Sequence, residues 1–174
     1  ADLIEYRSRH ESLVQRTLER DIETAWGRFH LVAYRDLAIA SIHLALVHGS
    51  PGKEREALVR VHEPLSVLDL LDAGPGTHSW GVGEALSAIR EAGEGVMVLL
   101  NCTQTSEALQ ARLGDVRPPP GRSADLRVYG IGAQILRDLG IGRMRLMAAP
   151  RKMPSMAGFG LEVVGYVKGA SGKG

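Results

Sequence analysis

Apolar and polar positions change their period several times along this chain, and each period predicts a type of secondary structure. Alternation is typical of half-buried strands, and short continuous apolar runs are typical of buried ones. Strands are therefore predicted over residues 29–34, 38–47, 57–62, 95–100, 144–147 and 161–167. Apolar residues spaced three and four apart predict helices over residues 2–21, 83–92, 106–113 and 124–139. Strands and helices intermix without strict alternation, so we expect an α+β fold in which helices flank a mixed β-sheet.

The helix predicted over residues 124–139 has the clearest apolar face. Ile131, Ile135 and Leu136 fall on one side of it, and Gly140 follows as its C-terminal stop. If this face lies in the core, Ile135→Ala should lower the free energy of unfolding by roughly 2–5 kcal/mol.

The N-terminal residues carry a thin apolar stripe among many charges, which suits a linker better than a core helix. We therefore predict a linker helix over residues 1–23, a folded domain over residues 24–168 and a flexible tail over residues 169–174. Residues 115–123 include three consecutive prolines and predict a mobile loop. A chain that starts without Met inside a helical pattern indicates a domain of a longer protein.

Composition and charge exclude several classes of function. The chain has 21 Lys and Arg against 20 Asp and Glu, and a net charge of +1 provides no field to attract nucleic acid. Its apolar stretches, such as residues 96–100, are far shorter than the roughly 20 residues of a membrane span, and no signal-peptide core is present. We expect a cytoplasmic protein that binds neither nucleic acid nor membranes. One cysteine, Cys102, can form neither an internal disulfide nor a thiolate metal site by itself.

One group of residues that could carry chemistry lies at the end of a predicted strand. Arg60, His62 and Glu63 combine a guanidinium, an imidazole and a carboxylate, which could bind a phosphate and the edge of a purine. Charged residues at a strand end are as readily explained as a cluster on the protein surface. Both interpretations stay open on these residues alone.

A second group lies at the start of the helix predicted over residues 124–139. Asp125 and Arg127 are its first charged residues, and a carboxylate in the first turn is stabilised by the helix dipole. A helix cap is therefore the simpler interpretation of Asp125. Further along, Arg151 and Lys152 could bind a phosphate, although solvated surface charges are the default there.

The stretch from Asp125 to Met147, which reads DLRVYGIGAQILRDLGIGRMRLM, strongly resembles the C-terminal motif of GTP cyclohydrolase II. Further segments follow in the order of that family, namely residues 24–29, 45–49, 58–63 and 160–164. Residues 2–7, DLIEYR, resemble the joint after the 3,4-dihydroxy-2-butanone 4-phosphate synthase domain of bifunctional riboflavin-pathway proteins. The resemblance covers nearly the whole chain and implies a synthase domain in the same polypeptide.

The family converts GTP to a diaminopyrimidine with release of formate and pyrophosphate, using a zinc-bound water, and its members are dimers. The resemblance therefore implies a GTP cyclohydrolase II-like fold, a homodimer and GTP or another phosphate as ligand. It implies two catalytic residues, Asp125 as proton acceptor and Arg127 as nucleophile for the α-phosphate. It also implies four residues that bind substrate, namely Arg60, His62, Glu63 and Lys152.

Three segments depart from the family pattern. The first zinc cysteine falls at Pro64 or Leu65 and the Cys-x-Cys pair at Gly76 and His78, so no thiolate remains. The Tyr/His-Arg-Gln-Glu-Gly-Arg loop that grips the substrate is replaced by residues 100–105, and the Thr-Asn-Asn-Pro turn is shortened to residues 148–150. Without zinc the hydroxide nucleophile is lost. We therefore expect no metal ion and no cofactor.

These observations favour a degenerate cyclohydrolase domain that supports or regulates the attached synthase, with a phosphate site remaining at Arg60, Arg127 and Lys152. The alternative is an active GTP cyclohydrolase II, or a metal-free phosphohydrolase that uses Asp125 and Arg127. A third hypothesis is binding of a different nucleotide of the pathway. As an exposed functional residue, Arg127 should tolerate replacement by Ala with a stability change within about 0.5 kcal/mol. A large loss would instead indicate a structural ion pair.

Overall fold

A computed structural model describes residue 3 and residues 10–63, 79–101, 106–113, 124–150 and 156–169 of the chain. Within these residues the strands are β1 (Val14–Thr24), β2 (Gly27–Asp36), β3 (Ile42–His48), β4 (Glu56–His62), β5 (Gly95–Leu99), β6 (Arg143–Leu146) and β7 (Glu162–Tyr166). The α-helices are α1 (Val82–Ala92), α2 (Ser106–Leu113) and α3 (Ala124–Asp138), and Ala157–Phe159 forms a 3₁₀ turn. No helix in these residues is long and apolar enough to cross a membrane.

The described strands form one mixed sheet in the order β1-β2-β3-β5-β4-β6-β7. β1, β2 and β3 pair antiparallel and make the antiparallel half, whereas β5, β4, β6 and β7 pair parallel and make the parallel half. β5 joins the halves because it pairs antiparallel with β3 and parallel with β4. The predicted α+β class with a mixed sheet is confirmed.

Helices cover the two faces of this sheet. Along β5, Val96 and Val98 pack in the cluster that contains α3, and Met97 and Leu99 pack in the cluster that contains α1. Successive side chains of a strand point to opposite faces, so α3 covers one face and α1 the other. All five residues of β5 are buried, as expected of a strand covered on both sides.

The prediction for α3 is confirmed in both its extent and its buried face. Ile131, Ile135 and Leu136 are at most 1% exposed. After the helix, Gly140 adopts a φ of 79°, and its N–H donates to the Arg137 carbonyl oxygen at 3.0 Å. The next N–H, that of Ile141, donates to the Leu136 carbonyl oxygen, which completes the glycine-stopped end that the sequence predicted.

The linker helix predicted over residues 1–23 is wrong for residues 14–23, which belong to strand β1. β1 pairs with β2 from Val14 opposite Asp36 to Thr24 opposite Gly27. Its residues 15–21 are exposed on both faces, so this stretch does not alternate between apolar and polar positions. Charged residues along an outer strand therefore produced a pattern that resembled a polar helix. Of the remaining linker residues, Leu3 and His10 are helical and residues 11–13 are not. Residues 1, 2 and 4–9, the loop over residues 115–123 and all of the tail but Gly169 lie outside the described residues.

Candidate functional site

The candidate site lies at the end of the sheet where β4 and β5 finish. Leu100 N–H donates to the His62 carbonyl oxygen there, at 3.0 Å. β3 runs antiparallel to β5, so its first residues, and the last residues of β2, lie at this same end. Ligands of open α/β sheets commonly bind beyond the carboxyl ends of parallel strands, which makes this end the natural place for a site.

A buried ion pair joins β2 to the first turn of α3. Arg127 Nη1 donates to Asp36 Oδ2 at 2.9 Å, and Arg127 Nη2 donates to Asp36 Oδ1. The Asp36 side chain is 0% exposed and that of Arg127 is 30% exposed. Two parallel charge-assisted hydrogen bonds of this kind are strong and geometrically specific. The premise of an exposed Arg127 is therefore wrong, and the geometry predicts a loss of stability for Arg127→Ala, because the substitution would leave a buried carboxylate without its cation.

His43 extends this pair to Asn101, the second residue after β5. Asn101 N–H donates to His43 Nδ1 at 3.0 Å, and His43 Nε2 lies 3.3 Å from Asp36 Oδ2. Because Nδ1 accepts a hydrogen bond, the network assigns the proton to Nε2, which donates it to Asp36. Burial lowers the pKa of His43 and outweighs the opposing effect of Asp36, which agrees with the neutral ring that the hydrogen bond from Asn101 requires.

Asp36 also forms hydrogen bonds with the backbone of the turn that connects β2 and β3. Its Oδ1 accepts hydrogen bonds from the N–H groups of Ala38 and Ile39, at 2.9 and 3.2 Å, and its own N–H donates to the Ser41 carbonyl oxygen. Ser41 Oγ in turn donates to the Asn101 carbonyl oxygen at 2.8 Å. Burial opposes ionisation of Asp36, but the hydrogen bonds from Arg127 and from these backbone groups hold its pKa well below the usual range.

Arg60 and His62 lie on the opposite face of the sheet from Arg127. Arg60 Nη1 donates to the Met147 carbonyl oxygen at 2.9 Å, and Nη2 donates to that of Trp80 at 3.4 Å. Trp80 and Met147 belong to the cluster around α1. Arg60 is 5% exposed and His62 is 1% exposed, so the interpretation of these two residues as a surface cluster is wrong.

The structure thus brings some candidate residues to one end of the sheet but divides them between its faces. Arg127 lies on the α3 face, Arg60 and His62 lie on the α1 face, and Glu63 directly follows β4 and is half-buried. Asp125 lies in the first turn of α3, and its side chain is outside the described part. Lys152, together with residues 64–78 where the zinc cysteines would fall, is also outside it. Among the described residues, no three His, Cys, Asp or Glu side chains come together as metal ligands.

Sequence reasoning missed Asp36, His43 and Asn101. Asp36 falls between the strands predicted over residues 29–34 and 38–47, but it is the last residue of β2, and the turn lies at residues 37–41. A signal was available, because Asp36 continues the alternation of Val32 and Tyr34 and so falls on the buried face of its strand. A polar residue at an inward position of a buried strand needs a partner, and that partner is Arg127.

Comparison with known proteins decides the family. The family model described as GTP cyclohydrolase II matches residues 15–168. The chain belongs to the GTP cyclohydrolase II family. The match begins at residue 15 and so includes nearly all of β1.

Relatives of this cyclohydrolase-family chain are riboflavin-biosynthesis proteins. A 3,4-dihydroxy-2-butanone 4-phosphate synthase of Neisseria meningitidis serogroup B is 43% identical over 166 residues, which are 95% of this chain and 46% of that protein. The riboflavin biosynthesis protein RibBA of Cytophaga hutchinsonii is 36% identical over 180 residues, covering 93% of this chain and 43% of that protein. The chain thus spans slightly less than half the length of these relatives.

A solved structure confirms the fold. The crystal structure of RibBX, a two-domain 3,4-dihydroxy-2-butanone 4-phosphate synthase from A. baumannii, matches this chain with a TM-score of 0.62 and 32% sequence identity. The match covers 96% of this chain and 43% of that protein. The mixed sheet with helices on both faces is therefore shared with a synthase that has two domains.

Proposed function

We propose that this chain is a cyclohydrolase domain that no longer opens the purine ring, and that it supports or regulates a 3,4-dihydroxy-2-butanone 4-phosphate synthase domain in the same protein. One observation carries the proposal. Arg127, the position that the resemblance assigns to the nucleophile for the α-phosphate, directs both terminal nitrogens at the fully buried carboxylate of Asp36.

A nucleophilic arginine has to turn its terminal nitrogens towards the phosphate that it attacks. In this chain, that movement would take the guanidinium away from Asp36, whose charge lies in the protein interior. Leaving a buried carboxylate unpaired costs several kcal/mol. The favoured role of Arg127 is therefore to hold the start of α3 against the end of β2.

The chemistry of the available donors supports the same proposal. The zinc site that the resemblance implies uses three thiolates, and the chain has one cysteine among its 174 residues. These donors do not fit that ion, and the proposed function includes neither zinc nor another cofactor. Bound zinc would lower the pKa of water from 15.7 to roughly 7, so its loss would remove the attacking hydroxide.

The names of the relatives agree with a role beside a synthase. The Neisseria protein and the A. baumannii structure are both named for the synthase activity alone, although each contains a region similar to this chain. The proposed partners are therefore a synthase domain in the same polypeptide and, as the family resemblance implies, a second copy of the protein in a homodimer. Light scattering of the full-length protein measures its molar mass in solution and so tests for the homodimer.

The test is to measure zinc content and GTP turnover of the full-length protein, beside a GTP cyclohydrolase II that retains its three cysteines. We expect no stoichiometric zinc and no release of formate or pyrophosphate from GTP. Stoichiometric zinc together with formate release would overturn the proposal and establish the active-enzyme alternative. Calorimetry with GTP and pyrophosphate decides whether any phosphate site remains, since Arg60 and Arg127 lie on opposite faces of the sheet and do not form one together.

A further inference from the structure

The connection between β2 and β3 exposes an unusual concentration of apolar side chains. Leu37 is 52% exposed, Ile39 is 54% exposed and Ile42, the first residue of β3, is 37% exposed. They are three of the seven large apolar side chains that are exposed in the described part of the chain. We call residues 37–42 the apolar turn. Surface turns normally consist of Gly, Pro, Asn, Asp and Ser, and apolar patches on a surface commonly mark an interaction site.

Hydrogen bonds to Asp36 hold the backbone of the apolar turn in one conformation. The Asp36 carboxylate accepts the N–H groups of Ala38 and Ile39, and the Asp36 N–H donates to the Ser41 carbonyl oxygen. Ala40 keeps a φ of 51°, a left-handed conformation in which Gly would be easier to accommodate. A surface that is already ordered loses little conformational entropy when a partner covers it.

The path of the chain indicates what covers this surface. Leu37 N–H donates to the Leu13 carbonyl oxygen at 3.0 Å, so the segment just before β1 lies against the apolar turn. That segment is fixed to α3, because Leu13 N–H donates to Gln134 Oε1 and Gln134 Nε2 donates to the Glu11 carbonyl oxygen. A domain joined ahead of residue 10 would therefore be tethered close to the apolar turn. β7, near the other end of the described chain, lies at the opposite edge of the sheet.

We infer that the apolar turn is the docking surface for the synthase domain that precedes this domain in the same polypeptide. The inference rests on the part of the proposed function that places a synthase domain in the same polypeptide. The relatives of this chain are about twice its length, which leaves room for such a domain. A tethered partner needs only a small apolar surface, because the linker keeps it at a high local concentration.

Thiol labelling of the full-length protein tests this docking. Ile39→Cys places a thiol in the apolar turn, and Leu18→Cys places a matched one on β1, since Leu18 is 53% exposed and Ile39 54%. Peptide mass spectrometry follows maleimide labelling at each position separately from Cys102. We expect the thiol at position 39 to react at least about tenfold more slowly than that at position 18, because an interdomain interface excludes the reagent. Equal rates would overturn the inference, and so would protection that disappears on dilution, since a second copy would then be the partner.

A second variant separates docking from protection within the domain itself. Adding Leu37→Asp to the Ile39→Cys variant puts a charge into the apolar surface, and labelling should rise to the rate of the Leu18→Cys control. Protection that survives this change would overturn the inference. GTP turnover and zinc are measured on the same samples. Formate release with a protected thiol contradicts only the loss of the cyclohydrolase reaction, whereas an unprotected thiol without formate release contradicts only the docking.

Discussion

Two clusters in this protein contain the same three residue types, an aspartate, a histidine and an arginine, in opposite surroundings. The buried cluster joins β2, β3 and α3, and the exposed cluster lies on the edge strand β1 and its neighbour β2. Their members are Asp36, His43 and Arg127 in the buried cluster, and Asp21, His30 and Arg28 in the exposed one. The aspartate side chain is 0% exposed in the first and 54% exposed in the second.

The two histidines show what burial changes. Hydrogen bonding to Asp21 raises the pKa of His30, since this ring stays hydrated and gains a carboxylate partner. Burial lowers the pKa of His43, although Asp36 lies 3.3 Å from it. A carboxylate neighbour therefore does not by itself determine the charge of a histidine. The solvent that the ring retains decides whether the carboxylate or the burial has the larger effect.

The buried cluster should contribute much more to stability than the exposed one. Arg127→Ala removes the cation from a carboxylate that has no contact with solvent, and we expect a loss of about 3–5 kcal/mol in the free energy of unfolding. Urea denaturation followed by the fluorescence of the buried Trp80 measures this loss. Adding Asp36→Asn to the variant should recover part of it, because the uncompensated charge is then gone. A change below about 1 kcal/mol would place Arg127 among ordinary surface residues.

A buried apolar residue of α3 gives a loss of stability with which the loss at Arg127 can be compared. Ile135→Ala leaves a cavity at a residue that is 0% exposed and should lower the free energy of unfolding by roughly 2–5 kcal/mol. Leu113→Ala, at a residue that is 61% exposed at the end of α2, is the control and should stay within about 0.5 kcal/mol. Similar losses for the two variants would mean that the face of α3 has been assigned incorrectly.

The histidines should make stability depend on pH in opposite directions. The pKa of His43 is lowered in the folded state, so its contribution is present above its unfolded pKa of about 6.5 and is lost as the pH falls. The pKa of His30 is raised, so its contribution is present below about 6.5 and is lost as the pH rises. Comparing wild type with His43→Gln and with His30→Gln between about pH 5 and 8 should show opposite slopes.

Glutamine suits this experiment because its amide can accept the Asn101 N–H and donate to Asp36, as His43 does, without titrating. Titration of the two rings by NMR measures the same shifts directly. Two histidines that titrate on the same side of about 6.5 would contradict the comparison.

The smallest effect is expected in the exposed cluster. Arg28 donates to Asp21 at 3.1 Å, but the Arg28 side chain is 67% exposed and water replaces the lost contact. Arg28→Ala should therefore leave the urea midpoint unchanged within error, whereas Arg127→Ala lowers it. A loss as large as that for Arg127→Ala would mean that exposure does not distinguish the two clusters.

Most of the fold could be predicted from the sequence. Local periodicity predicts the buried face of α3, its end at Gly140 and the strands β4 and β5. The spacing of apolar residues in a helix or strand indicates which of its faces is buried. β1 could not be predicted in this way. Its residues 15–21 are exposed on both faces, so nothing in this stretch distinguishes it from a polar helix, and only its pairing with β2 makes it a strand.

The candidate site was likewise predictable only in part from the sequence. The resemblance assigned Arg127 a role, but Asp36, which holds it, lies 91 residues away in the sequence. Local pattern alone could place Asp36 on the inward face of β2 but could not name its partner. For α3, β4 and β5, the sequence by itself determined which apolar side chains are buried and which element contains them. The tertiary structure decided which charges meet, since burial strengthens a contact between distant residues only once the chain has brought them together.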